Sequence, residues 1–436
     1  MVFVKKIILI IFFISCYSAL QSQQYWIKQN TPVTKKLAVC SFVDSLWGWA
    51  AGDSGTIIRT TNGGSNWTIQ QSNTPENINS VFFLNYNLGW ALALVVSDNP
   101  ENNFGTVILK TTNGGIHWDT SFYPEVSTFL FCVLFLDSLN GWMGGYPNPI
   151  LHTTNGGQNW FPAYIDTTGP TSLPVRHITF YNKKFGVACG GIPELVGHVY
   201  VTTDYGNTWK GKGVAPEPLN STFIFDSLNV VGLGGGPDEG PSIVSTSNSG
   251  SNWKLVALPY WGIPFACSFR TRLEGWSPMG YVPAFLKTDD GGITWGQKNT
   301  PDSAQLFDIK FTDYRNGFCV GDSGVVYKFN YAAVNISKIG TNIPSSYKLF
   351  QNFPNPFNPA TKIKFDLKED GRLKKEDVKL VIYDITGREI QTLVNEQLSP
   401  GTYEITFNGS NLSSGIYFYR LTSENYSQTM KMLLIK

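Results

Sequence analysis

Thr60-Thr-Asn-Gly-Gly-Ser-Asn-Trp67 recurs without a gap as Thr111 to Trp118, Thr153 to Trp160, Thr202 to Trp209, Thr246 to Trp253 and Thr288 to Trp295. Each copy carries Thr, then Asn or Asp two residues on, Gly two further, and Trp at the eighth place. Counted from Trp26, the Trp spacings are 41, 51, 42, 49, 44 and 42 residues, the length of a four-stranded propeller blade. The residue types predict a tight turn, because an Asn or Asp side chain accepts backbone N–H groups and Gly reaches positive φ. They are Asn62, Gly64, Trp67; Asn113, Trp118; Asn155, Trp160; Asp204, Trp209; Asn248, Trp253; and Asp290, Trp295. Burying each indole removes about 150–250 Å² from water, about 4–6 kcal/mol gross at roughly 25 cal/mol/Å². Repeated around a ring, that contribution is architectural.

Working outward, each unit reads as an apolar first strand (Val81-Phe82-Phe83), an Asp-led turn (Asp44 to Gly48), a second strand opening on Gly-Trp (Gly48-Trp49, Gly89-Trp90, Gly141-Trp142), and a third strand such as Thr56 to Thr60. The repeated motif then turns the third strand into the fourth. The last unit, Phe307 to Phe329, has three strands and no Trp turn, while Trp26-Ile-Lys-Gln-Asn-Thr-Pro32 parallels Trp295 to Pro301. The N-terminal segment is therefore expected to supply the missing strand, closing seven blades and hiding the sheet edges. The fold class is all-β, a seven-bladed β-propeller followed by a small C-terminal β-sandwich.

The motif resembles the Asp-box, or BNR repeat, of sialidases, sortilin-type receptors and propeller glycosidases. The longer pattern Phe-x-Asp…Gly-Trp…Thr-x-x-Gly-Gly-x-x-Trp is most similar to the photosystem II assembly and stability factor propellers, over residues 24 to 330. The resemblance implies a fold and leaves function open, and in those families the Asp-box is structural.

Composition agrees with many short strands: 14% aromatic residues, 13 Trp and 43 Gly. A net charge of +1 argues against nucleic acid as a partner. Lys5 and Lys6 precede the apolar run Ile7 to Ile14, with small residues at Ala19 to Ser22, so residues 1–22 read as a cleaved signal peptide and export to the periplasm by the Sec route. Cys16 sits in a partial lipoprotein box lacking the upstream Leu, which leaves lipidation as the alternative. The remaining cysteines, Cys40, Cys132, Cys189, Cys267 and Cys319, lie one per repeat in strand-like runs and are expected to be buried thiols. No transmembrane segment is expected.

The propeller is assigned to residues 23–330 and a linker to 331–346. Residues 347–436 begin with Pro354-Asn355-Pro356-Phe-Asn-Pro359 and continue as alternating strands (363–367, 378–383, 403–407, 415–421, 431–436). This module resembles the type A C-terminal sorting domain of the type IX secretion system, through that opening, the Asp384-Ile-Thr-Gly387-Arg388 turn, Ser414-Gly415-Ile-Tyr417 and the ending Lys431 to Lys436. The resemblance implies passage through the outer membrane by type IX machinery, removal of the domain, and surface attachment or release.

Second-to-third and fourth-to-first strand connections share one propeller face, and there the repeats differ in length. The candidate binding residues are Asp98, Glu101, Tyr146, Asp166, Glu194, Asp238, Tyr260 and Trp261, with Tyr164, Glu239 and Tyr281 beside them. Carboxylates could hydrogen-bond and aromatics could stack on a sugar. His117, His152, His177 and His198 form no ligand pattern, and His152, aligned with Arg59, Lys110 and Lys287, is expected on an exposed strand position. No catalytic residue, metal or cofactor is assigned. The leading expectation is a non-enzymatic exported propeller binding an unknown surface protein or glycan. The alternative is a secreted glycoside hydrolase, sialidase-like or xyloglucanase-like, whose two carboxylates would have to converge.

Overall fold

A computed structural model describes residues 25–95, 104–166, 172–331, 337–339, 343–368, 376–409, 412–423 and 426–436. The expected signal peptide at 1–22, with Cys16, and the candidates Asp98 and Glu101 lie outside the described residues. Among the described residues, seven sheets span 26–329, each carrying the four strands of one repeat in antiparallel order. This is consistent with the seven blades expected, numbered here in chain order: 37–70, 77–122, 129–162, 175–215, 219–257, 268–299 and 306–329. The seventh is completed by Trp26–Gln29, which pairs antiparallel with Val326–Phe329, Trp26 opposite Phe329. Closure therefore comes from the N-terminal strand, as the Trp26 to Pro32 parallel predicted.

An aromatic relay explains the spacing of Phe, Gly-Trp and motif Trp. In six of the seven blades the first strand ends on Phe, and that ring lies against the Gly opening the second strand; in blade 5 Ile224 and Val230 take these places. A Cβ on Gly141 would sit 2.5 Å from the Phe135 ring, and one on Gly48 2.1 Å from Phe42. The second-strand Trp of one blade stacks on the Phe of the next, Trp49 on Phe83 and Trp90 on Phe135, each at 3.5 Å. That Phe then meets its own blade's motif Trp edge-on, as in Phe83–Trp118 and Phe180–Trp209. Trp26 takes the same place in blade 7, against Phe285, Phe311 and Phe329. Offset-stacked and edge-on pairs are the favoured geometries of aromatic rings, so the junctions that carry them gain pair energy beyond the area they bury.

A belt of hydrogen bonds reinforces the junctions. Ser41 Oγ accepts the Phe83 N–H, Ser80 Oγ that of Val133, His177 Nδ1 that of Thr222, Ser221 Oγ that of Cys267, Ser268 Oγ that of Phe311, and Asp308 Oδ2 that of Cys40. The Cys132 sulfur accepts the Ile178 N–H at the remaining junction. Seven boundaries thus use one device with four side-chain types. Cys40, Cys189 and Cys319 are buried as expected, whereas Cys132 and Cys267 are only partly so.

Residues 337–436 form two four-stranded sheets over one core that includes Ile363, Phe365, Leu380, Ile382, Tyr419 and Leu421. Glu389–Leu398 is a strand the sequence pattern did not suggest, since its Glu, Gln and Asn residues break the alternation. Within the expected linker, Ser337–Lys338 pairs with Tyr403 and Glu404.

Candidate functional site

The repeated turns occupy one face, here the lower. In every copy the Thr hydroxyl donates to the Asn or Asp carboxamide or carboxylate and accepts the N–H four residues on. In blade 4, Thr202 Oγ1 lies 2.8 Å from Asp204 Oδ1 and 3.0 Å from the Gly206 nitrogen, while Asp204 Oδ1 accepts the Thr208 N–H at 3.0 Å. Blade 1 repeats this through Thr60, Asn62, Gly64 and Asn66. Gly64, at φ +85°, occupies backbone space costly to a residue with a Cβ. Trp209, Trp253 and Trp295 donate Nε1–H to the carbonyls of Gly206, Gly250 and Gly292. The first-to-second strand turns share this face. The Asn140 N–H, with that of Leu139, holds the Asp137 carboxyl down at about 2.

The side chain before the motif Thr also serves the scaffold. Arg59 reaches the Gly114 carbonyl and Lys110 that of Gly156, so each blade ties down its neighbour's turn. His152 departs from the exposed position expected of it: it is half-buried, stacked on Trp142 at 4.7 Å, and burial lowers its pKa.

On the upper face the structure divides the candidate residues. Tyr146 and Trp261 are exposed, as is Tyr281. Glu194 and Asp238 sit in the second-to-third hairpins of blades 4 and 5, both exposed. Two candidates belong elsewhere. Asp166 lies in Tyr164–Asp166, a fifth strand added parallel to Thr208–Ala215 at the outer edge of blade 4, because the chain crosses there on leaving blade 3. Tyr260 is half-buried against the core around Val231, Leu233 and Met279, so its ring packs the blade 5 to 6 connection.

Sequence reasoning missed the rim of the central opening. In six blades the first strand slips register one residue after it begins, at Leu37/Val39, Ile78/Ser80, Leu130/Cys132, Val175/His177, Leu219/Ser221 and Leu306/Asp308. Bulges of this kind re-aim a side chain. The skipped residues include Asn79, Arg176, Asn220 and Phe307. Asn79 Nδ2 donates to the Leu130 carbonyl at 3.0 Å, Arg176 Nη1 to Asn220 Oδ1 at 2.8 Å, and Asn220 Nδ2 to the Pro264 carbonyl at 2.9 Å. Beyond Pro264, the rings of Phe265, Tyr281 and Phe307 meet one another edge-on, with the Lys36 ammonium 5.1 Å from the Phe307 centroid. Polar residues at three of these six positions, Asn79, Arg176 and Asn220, were the available signal.

Buried titratable groups complete the picture. Glu217 is buried and its carboxylate accepts the Glu194 N–H at 3.1 Å. Burial, with the Lys310 charge, lowers His177 to about 4; burial, with Arg176, does the same to His198, whose ring nitrogens have no partner among the described residues. Burial raises Asp308 to about 6. Among the described residues no group of three or more His, Cys, Asp or Glu could hold a metal ion, and no helix is long and apolar enough to cross a membrane.

Comparison with known proteins separates the two parts. Residues 103–219 match the family model of the photosynthesis system II assembly factor YCF48, and residues 351–436 that of the secretion system C-terminal sorting domain. The chain carries a photosystem II assembly factor-like propeller and a type IX secretion sorting domain. It is 31% identical over 227 residues to the photosystem II assembly lipoprotein Ycf48 of a Synechococcus strain, covering 45% of this chain and 66% of that protein, just under two thirds of its length. To the chloroplastic photosystem II stability/assembly factor HCF136 of Arabidopsis thaliana it is 22% identical over 312 residues, 65% of this chain and 72% of that one. A solved structure of YCF48 bound to a D1 peptide superposes with a TM-score of 0.55 at 21% identity, covering 70% of this chain and 97% of that one; a GH74 xyloglucanase from Xanthomonas campestris gives 0.53 at 10%, covering 93% and 68%. At these identities the structures support the fold alone. The sorting domain directs the chain to the cell surface or the medium.

Proposed function

We propose that this chain is an exported, non-enzymatic β-propeller that leaves the periplasm through the type IX secretion machinery after Sec export, and that its upper face binds a protein or glycan outside the cell. The observation carrying this reading is the contrast between faces: the Asp-box turns of the lower face are consumed by internal hydrogen bonds, while Tyr146, Glu194, Asp238, Trp261 and Tyr281 stand exposed on loops that differ from blade to blade. Conserving a scaffold while varying its loops is how a fold acquires ligands. Asp308, with its raised pKa, is committed to the Cys40 N–H between blades and so supports a structural rather than an acid-catalytic role. The YCF48 structure with a bound D1 peptide supplies a precedent for a propeller of this shape holding a peptide.

The test is a glycan and surface-protein binding array probed with the mature propeller, run beside a reducing-end assay on a polysaccharide panel. Saturable binding without turnover is expected. Hydrolysis lost on replacing two of the upper-face carboxylates would transfer the chain to the glycoside hydrolases.

A further inference from the structure

The junction between blades 5 and 6 lacks the groups that close the wedge between neighbouring blades elsewhere in the ring. Between blades 1 and 2 that wedge is filled by three long side chains of blade 1, Trp49, Arg59 and Gln70. All three donate to one acceptor, the Gly114 carbonyl in the repeated turn of blade 2: Nε1 at 3.1 Å, Nη1 at 3.1 Å and Nε2 at 3.0 Å. Lys110 makes the same contact with Gly156, and Lys328 with Gly63. The strand registers place Val231, Ser245 and Val256 of blade 5 where blade 1 has Trp49, Arg59 and Gln70. In the turn of blade 6, Gly291 takes the place of Gly114. Among the described residues no side-chain donor replaces the missing ones at the Gly291 carbonyl.

The blade 4 to 5 junction has also lost its Trp, but there Val187 shares one apolar core with Ile224, so both members of the ring pair are gone together. At the blade 5 to 6 junction Phe269 remains. Phe223 and Phe225 are set against it at 4.8 and 4.7 Å, where Phe83 has an indole stacked at 3.5 Å. What is left is a cleft of about 960 Å³ between the two blades. Val231, Ile243, Val256 and the Phe225 ring line it, Gly291 and its turn border it, and Ile390 and Leu412 of the sorting domain complete the wall. A concave space with mostly apolar walls and a few polar groups is the ordinary form of a small-molecule site. The other blades show what this one is missing: a flat aromatic ring and an N–H aimed at the turn carbonyl.

We propose that this cleft binds a small aromatic molecule bearing an N–H donor, with its ring in the place of the absent indole and its N–H on the Gly291 carbonyl. Burial of the ring supplies the affinity, and the hydrogen bond in a partly desolvated setting selects for the donor. The site is separate from the upper-face loops and does not depend on what they bind.

The probe is indole, titrated into the full chain by isothermal calorimetry beside benzofuran, which has the same shape and no N–H. The parent should bind indole saturably at one site, and benzofuran at least threefold more weakly. Val231→Trp introduces the residue that four other blades carry as Trp49, Trp90, Trp142 and Trp276, and so fills the cleft from within. It should weaken indole binding at least tenfold while still unfolding cooperatively. If that variant does not fold, Ser245→Arg, which copies Arg59 at a partly exposed position, should give the same loss. Trp261→Ala on the upper face is the control and should match the parent. The proposal is overturned by a parent that shows no saturable indole binding, by equal affinity for benzofuran, or by a folded Val231→Trp chain that binds within twofold of the parent. Indole binding lost in Trp261→Ala would overturn it as well, by moving the site to the upper face.

Discussion

The two faces of the propeller are made from the same seven repeats and have opposite histories of use. On the lower face, Thr202, Asp204, Gly206 and Trp209 bond to one another and to the relay of rings beneath, and the other blades repeat the arrangement. On the upper face, the fourth-to-first strand connections run from the short link between Ala215 and Leu219 to the long segment between Ala257 and Ser268. A turn with its polar groups internally satisfied has few hydrogen-bonding groups left to offer a ligand, whereas a loop whose backbone is anchored by the rim and whose side chains are not can vary freely.

The most severe way to break this contrast is at the scaffold's seam. Deleting residues 24–32 removes Trp26 and the strand opposite Val326–Phe329, and exposes Phe285, Phe311 and Phe329. A loss of about 5 kcal/mol or more is expected, read as a large drop in Tm by calorimetry; an unchanged Tm would mean the ring closes otherwise. Next comes a pair of tryptophans. Trp209→Ala should cost about 3–5 kcal/mol, since that indole is fully buried, and Trp261→Ala under about 0.5 kcal/mol, since it is 73% exposed. Equal losses in chemical denaturation would erase the distinction between faces.

Acid acts on the scaffold through its buried imidazoles. His177 and His198 are held near 4 in the fold, against 6.5 for an exposed imidazole. Unfolded chains therefore take up protons that the native state refuses, and stability falls as pH drops from about 6.5 toward 4. Asp308, raised to about 6, has the opposite sign: it favours the fold below about 4 and loses that contribution as pH rises through 6. Two imidazoles outweigh one carboxyl, so Tm should fall by roughly 5 °C between pH 6.5 and 4.5. His198→Leu, which removes an imidazole lacking partners among the described residues, should flatten that fall; an identical profile would contradict it. The smallest effect is local. Thr202→Val deletes the hydroxyl joining Asp204 to the Gly206 N–H and should cost about 1–2 kcal/mol in urea titrations, with the upper face unaffected.

The scaffold was legible because it is periodic. Six copies of the Thr-to-Trp turn announce both blade length and the face that carries it, and Trp26 to Pro32 betrayed the closing strand. The Thr hydroxyl, by contrast, had no role assigned until the bond to Asp204 was visible, since a side chain that both donates and accepts within one turn leaves no mark in a pattern of apolar residues. Upper-face placement was harder. Asp166 was read as a face residue and lies on an outer edge, because a chain crossing between blades leaves no periodic signal; Tyr260 was read as available and packs the core, because burial of a loop aromatic depends on neighbours distant in sequence. Arg176 and Asn220 went unread for a related reason: a one-residue bulge changes which way a strand residue points without changing the residues around it.

The central claim, that the upper face is where this protein acts, is tested most directly by probing the glycan and surface-protein array with two folded variants: Tyr146→Ala/Trp261→Ala/Tyr281→Ala on the upper face, and Ile116→Ala/Tyr205→Ala/Ile293→Ala at exposed positions of the lower turns. Loss of at least tenfold in affinity from the upper-face variant, with the lower-face variant matching the parent, is the predicted result. Binding abolished by the lower-face substitutions and retained by the upper would contradict it.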